Sequence, residues 1–344
     1  MGMRRNAALA ATVAAAMVVA TACQNPSPGT TTTTRATTPT TGPTTRPTTP
    51  PTNPPTNREG FWELTGDTAA HDPSIIKNGN TWYSFTTGTG ISVASSNGGL
   101  NWGGRRQVFT SAPSWWRTIP GHTDVMNVWA PDVKAYNGRV HLYYAISSFG
   151  SRNSAIGYAT AATPAGPFTD HGAVLRSSDS NNYNAIDPEL VIDASGAPWL
   201  AFGSFWDGLK MTKLDGNMRP TGSLHSIGRR SSGIEAPAVT YHDGWYYLFA
   251  SIDKCCQGVN STYKIIYGRS RAVTGPYVDR NGRSLADQGG TVLDAGNDRW
   301  RGPGGQDVNE GNVLARHAYD ATANGAPKLL INGLRWDSAG WPTY

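Results

Sequence analysis

The chain has 344 residues, and its Gly 40, Pro 23, Trp 12 and Tyr 14 describe a turn-rich, aromatic-rich sequence suited to short strands rather than long helices. Its 29 basic and 24 acidic residues leave a formal charge of +5, small for the length and scattered rather than striped, which argues against nucleic-acid binding. The part that follows a leader and spacer is long enough for one large all-β domain with a substantial core.

The first segment, residues 1–23, reads as an export signal. Met3-Arg4-Arg5 supplies a positive start, and Ala7 to Ala20 is an apolar stretch too short and too alanine-rich for a membrane span. Ala20-Thr21-Ala22-Cys23 then offers two readings, an Ala-x-Ala cleavage site or the end of a bacterial lipobox with a lipid on Cys23. Membrane attachment is expected only through that lipid, and either reading places the protein outside the cell, secreted or anchored at the surface. Residues 24–58, dominated by Thr and Pro, cannot build a core and favour extended, polyproline-like conformations, which suits a spacer.

From residue 59 to 344 five segments share one plan: a short element with Pro and usually an acid, alternating residues, a Gly or Asn turn, then an aromatic-rich strand. They read HDPSIIKNGNTWYSF from His71, APDVKAYNGRVHLYY from Ala130, DPELVIDASGAPWLAF from Asp187, APAVTYHDGWYYLFA from Ala236 and a degenerate GPGGQDVNEGNVLARHAYD from Gly302. The Asn-Gly, Asp-Gly and Ser-Gly pairs between apolar runs signal hairpins. ISVASS from Ile91, SAIGYAT from Ser154 and KIIYGRS from Lys264 supply third strands, and AGPFTDHG and TGPYVDRNG mark similar outer connections. The anchors Pro73, Pro131, Pro188, Pro237 and Pro303 recur at the scale of four-stranded blades, so the expected fold is an all-β, five-bladed β-propeller acting as a monomer. After Cys23 the only cysteines are the adjacent Cys255 and Cys256, which either close a vicinal disulfide, stay as thiols or switch between the two.

In a propeller the first strand of every blade lines the central channel, so residues far apart in sequence converge at one mouth. Asp72, Asp187 and Glu235 stand near the starts of three such strands. Carboxylates gathered in one pocket drive their pKa values apart, leaving one protonated beside one ionised, as acid/base hydrolysis requires. A single Asp-Pro more often just begins a turn, and Asp132 and Glu189 fit that structural role. Glu235, bracketed by small and apolar residues in SSGIEAPAV, has no turn to explain it.

HDPS, WAPDV, NAIDPEL, GIEAP and DKCCQGVNSTYKIIYGRS together resemble glycoside hydrolase family 43, and within it the endo-1,5-α-L-arabinanases. The resemblance implies an inverting hydrolase of the α-1,5-linked arabinofuranose backbone of arabinan, with Asp72 as general base, Glu235 as general acid and Asp187 orienting the acid and raising its pKa. An inverting pair needs roughly 6.5–9.5 Å between carboxyls, a retaining pair about 5–5.5 Å. The resemblance also implies sugar contacts from Phe149, as a stacking platform, and from the run Asn184, Ala185, Ile186 and Asp187. Gly150, Ser204, Phe205 and Trp206 lie on loops or strand starts expected at the same mouth. It further implies that His317, in HAYD, reaches a calcium ion in the central channel, largely through waters. The fifth motif departs from the family, reading GPGGQDV where GPGHNSV is usual. An exo-acting arabinofuranosidase or β-xylosidase on the same fold would need one end of the channel blocked, by loops around Trp115-Trp116 or Asp207-Gly208. A non-catalytic carbohydrate-binding propeller is opposed by the intact acid trio.

Overall fold

Each repeat folds on its turn. Asn137-Gly138 and Asp243-Gly244 have φ of 47° and 73° and of 46° and 78°, the doubly left-handed backbone that matches the twist of a two-residue hairpin. They join Asn127–Tyr136 to Arg139–Ile146 and Ile234–His242 to Trp245–Ile252. The protein's structure is a computed structural model that describes residues 60–309 and 312–344. The expected export signal (1–23), the lipid site at Cys23 and the spacer (24–58) lie outside the described residues.

Five blades of mainly antiparallel strands follow in chain order, with Thr65–Gly66 added in parallel at the edge of the first and a two-stranded sheet of Arg335–Trp336 and Pro342–Thr343 at the end. Blade 1 runs outward through Ser74–Asn78, Thr81–Thr86, Ser92–Asn97 and Asn101–Gln107. Blade 2 runs through Asn127–Tyr136, Arg139–Ile146, Ser154–Ala161 and Thr169–Ser177. Blade 3 contains Glu189–Ile192, Pro198–Phe202, Leu209–Leu214 and Pro220–Gly228. Blade 4 contains Ile234–His242, Trp245–Ile252, Lys264–Ser270 and Thr291–Asp294. Blade 5 has only three strands of its own, Trp300–Asn309, Val313–Asp320 and Ala326–Gly333. Its outer edge is covered from the other end of the domain: Phe61 and Ala69 bridge to Asn332 and Lys328, and Trp62 N donates to Ile331 O at 2.9 Å. The amino-terminal segment thereby closes the ring and pairs an edge that would otherwise be open.

First strands of adjacent blades pack on one another in the cycle 1-2-3-4-5-1. The core is correspondingly divided into inter-blade clusters, such as Phe85, Val93, Val133 and Leu142 between blades 1 and 2, and Leu209, Ile234, Leu248 and Ile266 between blades 3 and 4. Most tryptophans belong to such clusters or to the outer surface.

At the channel end of each first strand one residue adopts a left-handed backbone: Asp72 (φ 45°), Ala130 (41°), Asp187 (52°), Ala236 (50°) and Gly305 (55°). For a non-glycine residue this costs of order 1–3 kcal/mol and persists only where surroundings impose it. Side chains of neighbouring strands do so by accepting the N–H groups: His317 Nδ1 takes that of Asp72 at 3.1 Å, Thr87 Oγ1 that of Ala130 at 2.8 Å, Asp187 Oδ2 that of Ala236 at 2.9 Å and Ser251 Oγ that of Gly305 at 3.1 Å. This row corrects the repeat alignment: the fifth counterpart of Pro73, Pro131, Pro188 and Pro237 is Gln306, after Gly305, and not Pro303. Equivalent bulges between Trp129 and Asp132, Glu235 and Ala238, and Gly304 and Asp307 place the left-handed residue identically in blades 2, 4 and 5, and blade 5 has no proline after its own.

Candidate active site

The left-handed row turns the Asp72 and Asp187 side chains into one cavity of about 730 Å³, which Glu235, one residue ahead of Ala236, also lines. The three expected acids, contributed by blades 1, 3 and 4, therefore meet. Around them the cavity is lined by Phe149, Gly150, Asn184, Ile186, Ser204, Phe205 and Trp206, as expected, and by His71, Thr87, Trp129, Tyr263 and the cysteine pair. Ala185 is not among them: it is fully buried in the cluster between blades 2 and 3, and its N–H donates to Ser177 Oγ. Alternation along the NAID run accounts for this, with Asn184 and Ile186 facing the cavity and Ala185 the core. Phe149 is 87% exposed, with Phe205 and Trp206 half-exposed on the same cavity, which is unusual for large aromatics, and Arg152 covers one face of Trp206 at 5.9 Å.

The electrostatics separate the acids. Asp72 is set deep in protein, which opposes its charge, but His71, His317 and the Thr87 hydroxyl together hold its carboxyl well below the usual carboxylate range. His71 Nδ1 lies 2.8 Å from Asp72 Oδ2, and Thr87 Oγ1 donates to the same oxygen at 2.7 Å. Burial works against a charge on His71, yet the Asp72 carboxylate outweighs it and raises its pKa. Glu235 behaves in the opposite way: desolvation pushes its pKa up, and the Asp72 charge adds to the rise, against hydrogen bonds from Tyr263 OH to Oε1 (2.6 Å) and from Ser204 Oγ to Oε2 (2.7 Å). Asp187 is raised well above the ordinary value by desolvation, then by Glu235 and Asp72. One carboxylate stays ionised while its neighbours lean towards protonation, an arrangement suited to paired general base and general acid.

His317 lies under this floor. Its ring is fully buried, stacks on His71 with centroids 4.1 Å apart, and burial followed by the His71 charge takes its pKa down to about 3. Because Nδ1 accepts the Asp72 N–H, the neutral ring carries its proton on Nε2, which is buried with no partner and suits donation to a water, such as one held by a cation. The ring groups with His71 and Asp72 as donors that could hold a metal. Deeper in the channel Asp132, Glu189 and Asp307 form a second buried acidic cluster with metal-binding potential. There Lys134 Nζ already pairs with Glu189 Oε1 at 2.8 Å, and Leu190 N and Ile75 N donate to Asp132 and Asp307 at 2.7 and 2.8 Å. Asp132 and Glu189 thus serve the channel wall rather than a surface turn.

Sequence reasoning missed Thr87, Tyr263 and Tyr319. Tyr263 and Tyr319 stand inside DKCCQGVNSTYKIIYGRS and HAYD but, like Thr87, act through a hydroxyl aimed by tertiary packing, which no local pattern reveals. The cysteines are joined as a Cys255–Cys256 disulfide, the first of the three expected states. Trp115-Trp116 does not reach the cavity, whereas the loop that holds Asp207-Gly208 carries Ser204, Phe205 and Trp206, which line it. Trp116 is buried between blades 1 and 2, Trp115 donates to Asp170 Oδ2 at 2.9 Å, and Asp207 pairs with Lys210 at 2.7 Å.

The chain is similar to known proteins over this whole region. It is 54% identical over 294 residues to the extracellular endo-α-(1→5)-L-arabinanase 1 of Bacillus subtilis, covering 83% of this chain and 90% of that one. It is 40% identical over 296 residues to the extracellular exo-α-(1→5)-L-arabinofuranosidase of Cellvibrio japonicus, covering 79% and 85%. Among solved structures, the family 43 endo-arabinanase from Bacillus licheniformis superposes with a TM-score of 0.80 at 56% identity, covering 83% of this chain and 100% of that chain. The model of the glycosyl hydrolases family 43 matches residues 65–342, and the five-bladed ring with its carboxylate-lined cavity is accordingly that of a member of this family.

Proposed function

We propose that the protein is an endo-acting, inverting hydrolase of the α-1,5-linked L-arabinofuranose backbone of arabinan. The observation that carries this reading is a carboxylate held ionised and a carboxyl pushed towards its protonated form on one cavity rimmed by exposed aromatic faces. Glu235 gives its proton to the glycosidic oxygen as that bond to the anomeric carbon breaks. Asp72 takes a proton from the water whose oxygen attacks that carbon from the opposite face. Asp187 accepts the N–H of Ala236 and so fixes the strand start that carries Glu235, and the two crowded carboxyls resist ionising together. Tyr263 and Ser204 aim the two Glu235 oxygens. Phe149 and Trp206 offer stacking faces, and Asn184, Ile186, Gly150 and Phe205 complete the sugar-binding walls.

Internal cleavage, rather than exo attack, is supported by the higher identity to the endo-arabinanases, 54% and 56%, than to the exo-acting relative, 40%, and by Trp115-Trp116, which packs into the core between blades 1 and 2. The ionised and protonated partners oppose a purely carbohydrate-binding role. His317 would hold a calcium ion through a water, and the orphaned, buried Nε2–H, which needs such an acceptor, is what favours it. Such a cation stabilises ionised carboxylates nearby. The chain acts outside the cell, as the names of its relatives and its leader both support. Attachment through Cys23 and a monomeric state complete the reading.

The test is the product profile on debranched arabinan. Mixed oligosaccharides appearing before arabinose support internal cleavage, a single product from chain ends supports an exo enzyme, and no product with retained binding supports a lectin. In the same assay Glu235→Ala abolishes turnover and keeps substrate binding; a fully active variant would remove Glu235 from its role.

A further inference from the structure

The Cys255–Cys256 bridge lines the catalytic cavity but takes no part in the mechanism above. A disulfide between adjacent residues closes an eight-membered ring that contains the intervening peptide unit. The N–H of Cys256 is therefore a substituent on that ring, and the bridge sets its direction. This N–H donates to Tyr319 OH at 2.8 Å. The Tyr319 hydroxyl reaches His71 Nε2 at 3.2 Å, and His71 Nδ1 reaches Asp72 Oδ2 at 2.8 Å. When the Tyr319 O–H donates a hydrogen bond to Nε2, the neutral imidazole carries its proton on Nδ1 and donates a hydrogen bond to the carboxylate. Every donor and acceptor along this path is then used once. Cys256 Sγ also sits 3.7 Å from His71 Nε2, against the same ring edge. Cys256 itself has φ 64°, left-handed backbone that an unconstrained non-glycine residue readily leaves.

We propose that the Cys255–Cys256 bridge and Tyr319 are positioning elements for Asp72, so that opening the bridge with a dithiol slows the hydrolytic step. The inference rests on the reading of Asp72 as general base. Cys256 is exposed and so within reach of a reagent. A reagent thiolate attacks one cysteine sulfur, the Cys255–Cys256 bond breaks and a mixed disulfide forms. The second reagent thiol displaces it, leaving two cysteine thiols and the reagent oxidised to its own disulfide. Freed from the ring, the Cys256 peptide turns away from Tyr319, His71 gains a second orientation, and Asp72 loses its fixed one. Displacements of this size at a reacting group are felt strongly in rate.

The experiment compares kcat and KM on linear arabino-oligosaccharides for the parent, Tyr319→Phe and a Cys255→Ser/Cys256→Ser double variant, each with and without dithiothreitol. Thermal midpoints confirm that each is folded. In the parent, reduction is expected to lower kcat about ten-fold, with KM within about two-fold, and reoxidation restores it. Tyr319→Phe lowers kcat similarly while its bridge is intact, and reduction then adds less than about two-fold because the two act on one path. The double variant starts low and ignores the reagent. A reduced, folded parent with full kcat overturns the proposal, as does an equal effect of reduction in Tyr319→Phe. Should reduction unfold the chain, Tyr319→Phe decides alone, parent-like kcat being the refuting result. Asp72→Asn measured alongside separates the two failures: if it is inactive while reduction does nothing, only this inference falls.

Discussion

Replacing Tyr263 by Phe tests the tuning of the acid. Tyr263 is buried, and burial together with the neighbouring Glu235 pushes its own pKa well above the ordinary value, so it remains an O–H donor across the working range. Its 2.6 Å bond to Glu235 Oε1 favours the ionised carboxylate and thus holds the acid's pKa down against desolvation. A hydrogen bond to a charged group contributes about 1.5–3 kcal/mol. At 1.36 kcal/mol per pH unit, its loss raises the Glu235 pKa by roughly one to two units. The ring stays in place, so its packing beside His317 is kept. The assay is kcat/KM against pH, whose alkaline limb reports loss of the acid's proton in the free enzyme. That limb is expected to move up by roughly one to two units. Stability changes with a defined sign: a carboxyl raised above its unfolded value costs stability once pH exceeds that value. Tyr263→Phe is therefore less stable than the parent at neutral pH, and the gap narrows below about pH 4. An unmoved alkaline limb, or one that moves down, would refute the assignment of Glu235 as the acid that Tyr263 tunes.

Asp187→Asn keeps an oxygen for the Ala236 N–H but removes a carboxyl whose pKa is raised by desolvation, Glu235 and Asp72. Melting curves should show it more stable by about 1–2 kcal/mol at neutral pH, with the gain lost below the unfolded value of about 3.9, while kcat falls. Phe149→Ala, at a site 87% exposed, should raise KM several-fold for a lost stacking contact of about 0.5–1.5 kcal/mol and leave the melting temperature unchanged. Chelation should lower both melting temperature and activity if a cation sits at His317, calcium should restore them, and His317→Ala should abolish the response to either.

Much of the ring was legible because its repeats carry local chemistry. The two-residue turns at Asn137-Gly138 and Asp243-Gly244 sit where hairpin residues stand in the sequence, and the first strands begin beside their prolines. Blade 5 was harder: Gln306 stands where the other blades have their proline, and Pro303, three residues earlier, drew the alignment to the wrong position. Ring closure by Phe61 to Ala70 left no local signal, because that segment pairs with a strand some 260 residues away. Among site residues, the acids were readable from their places beside Pro73, Pro188 and Pro237. Ala185 was misplaced because a run of adjacent residues cannot all face one cavity. Tyr263, Thr87 and Tyr319 were invisible for a related reason, since a hydroxyl's role depends on which carboxylate or imidazole the fold brings within 3 Å or so.

The central claim, that Asp72 and Glu235 act from opposite faces of the scissile bond, is tested most directly by proton NMR of the first products released from a linear arabino-oligosaccharide. Water delivered by Asp72 against an α-linkage yields the β-furanose anomer first, followed by mutarotation. Initial accumulation of the α-anomer would require a covalent intermediate and would contradict this account of the site.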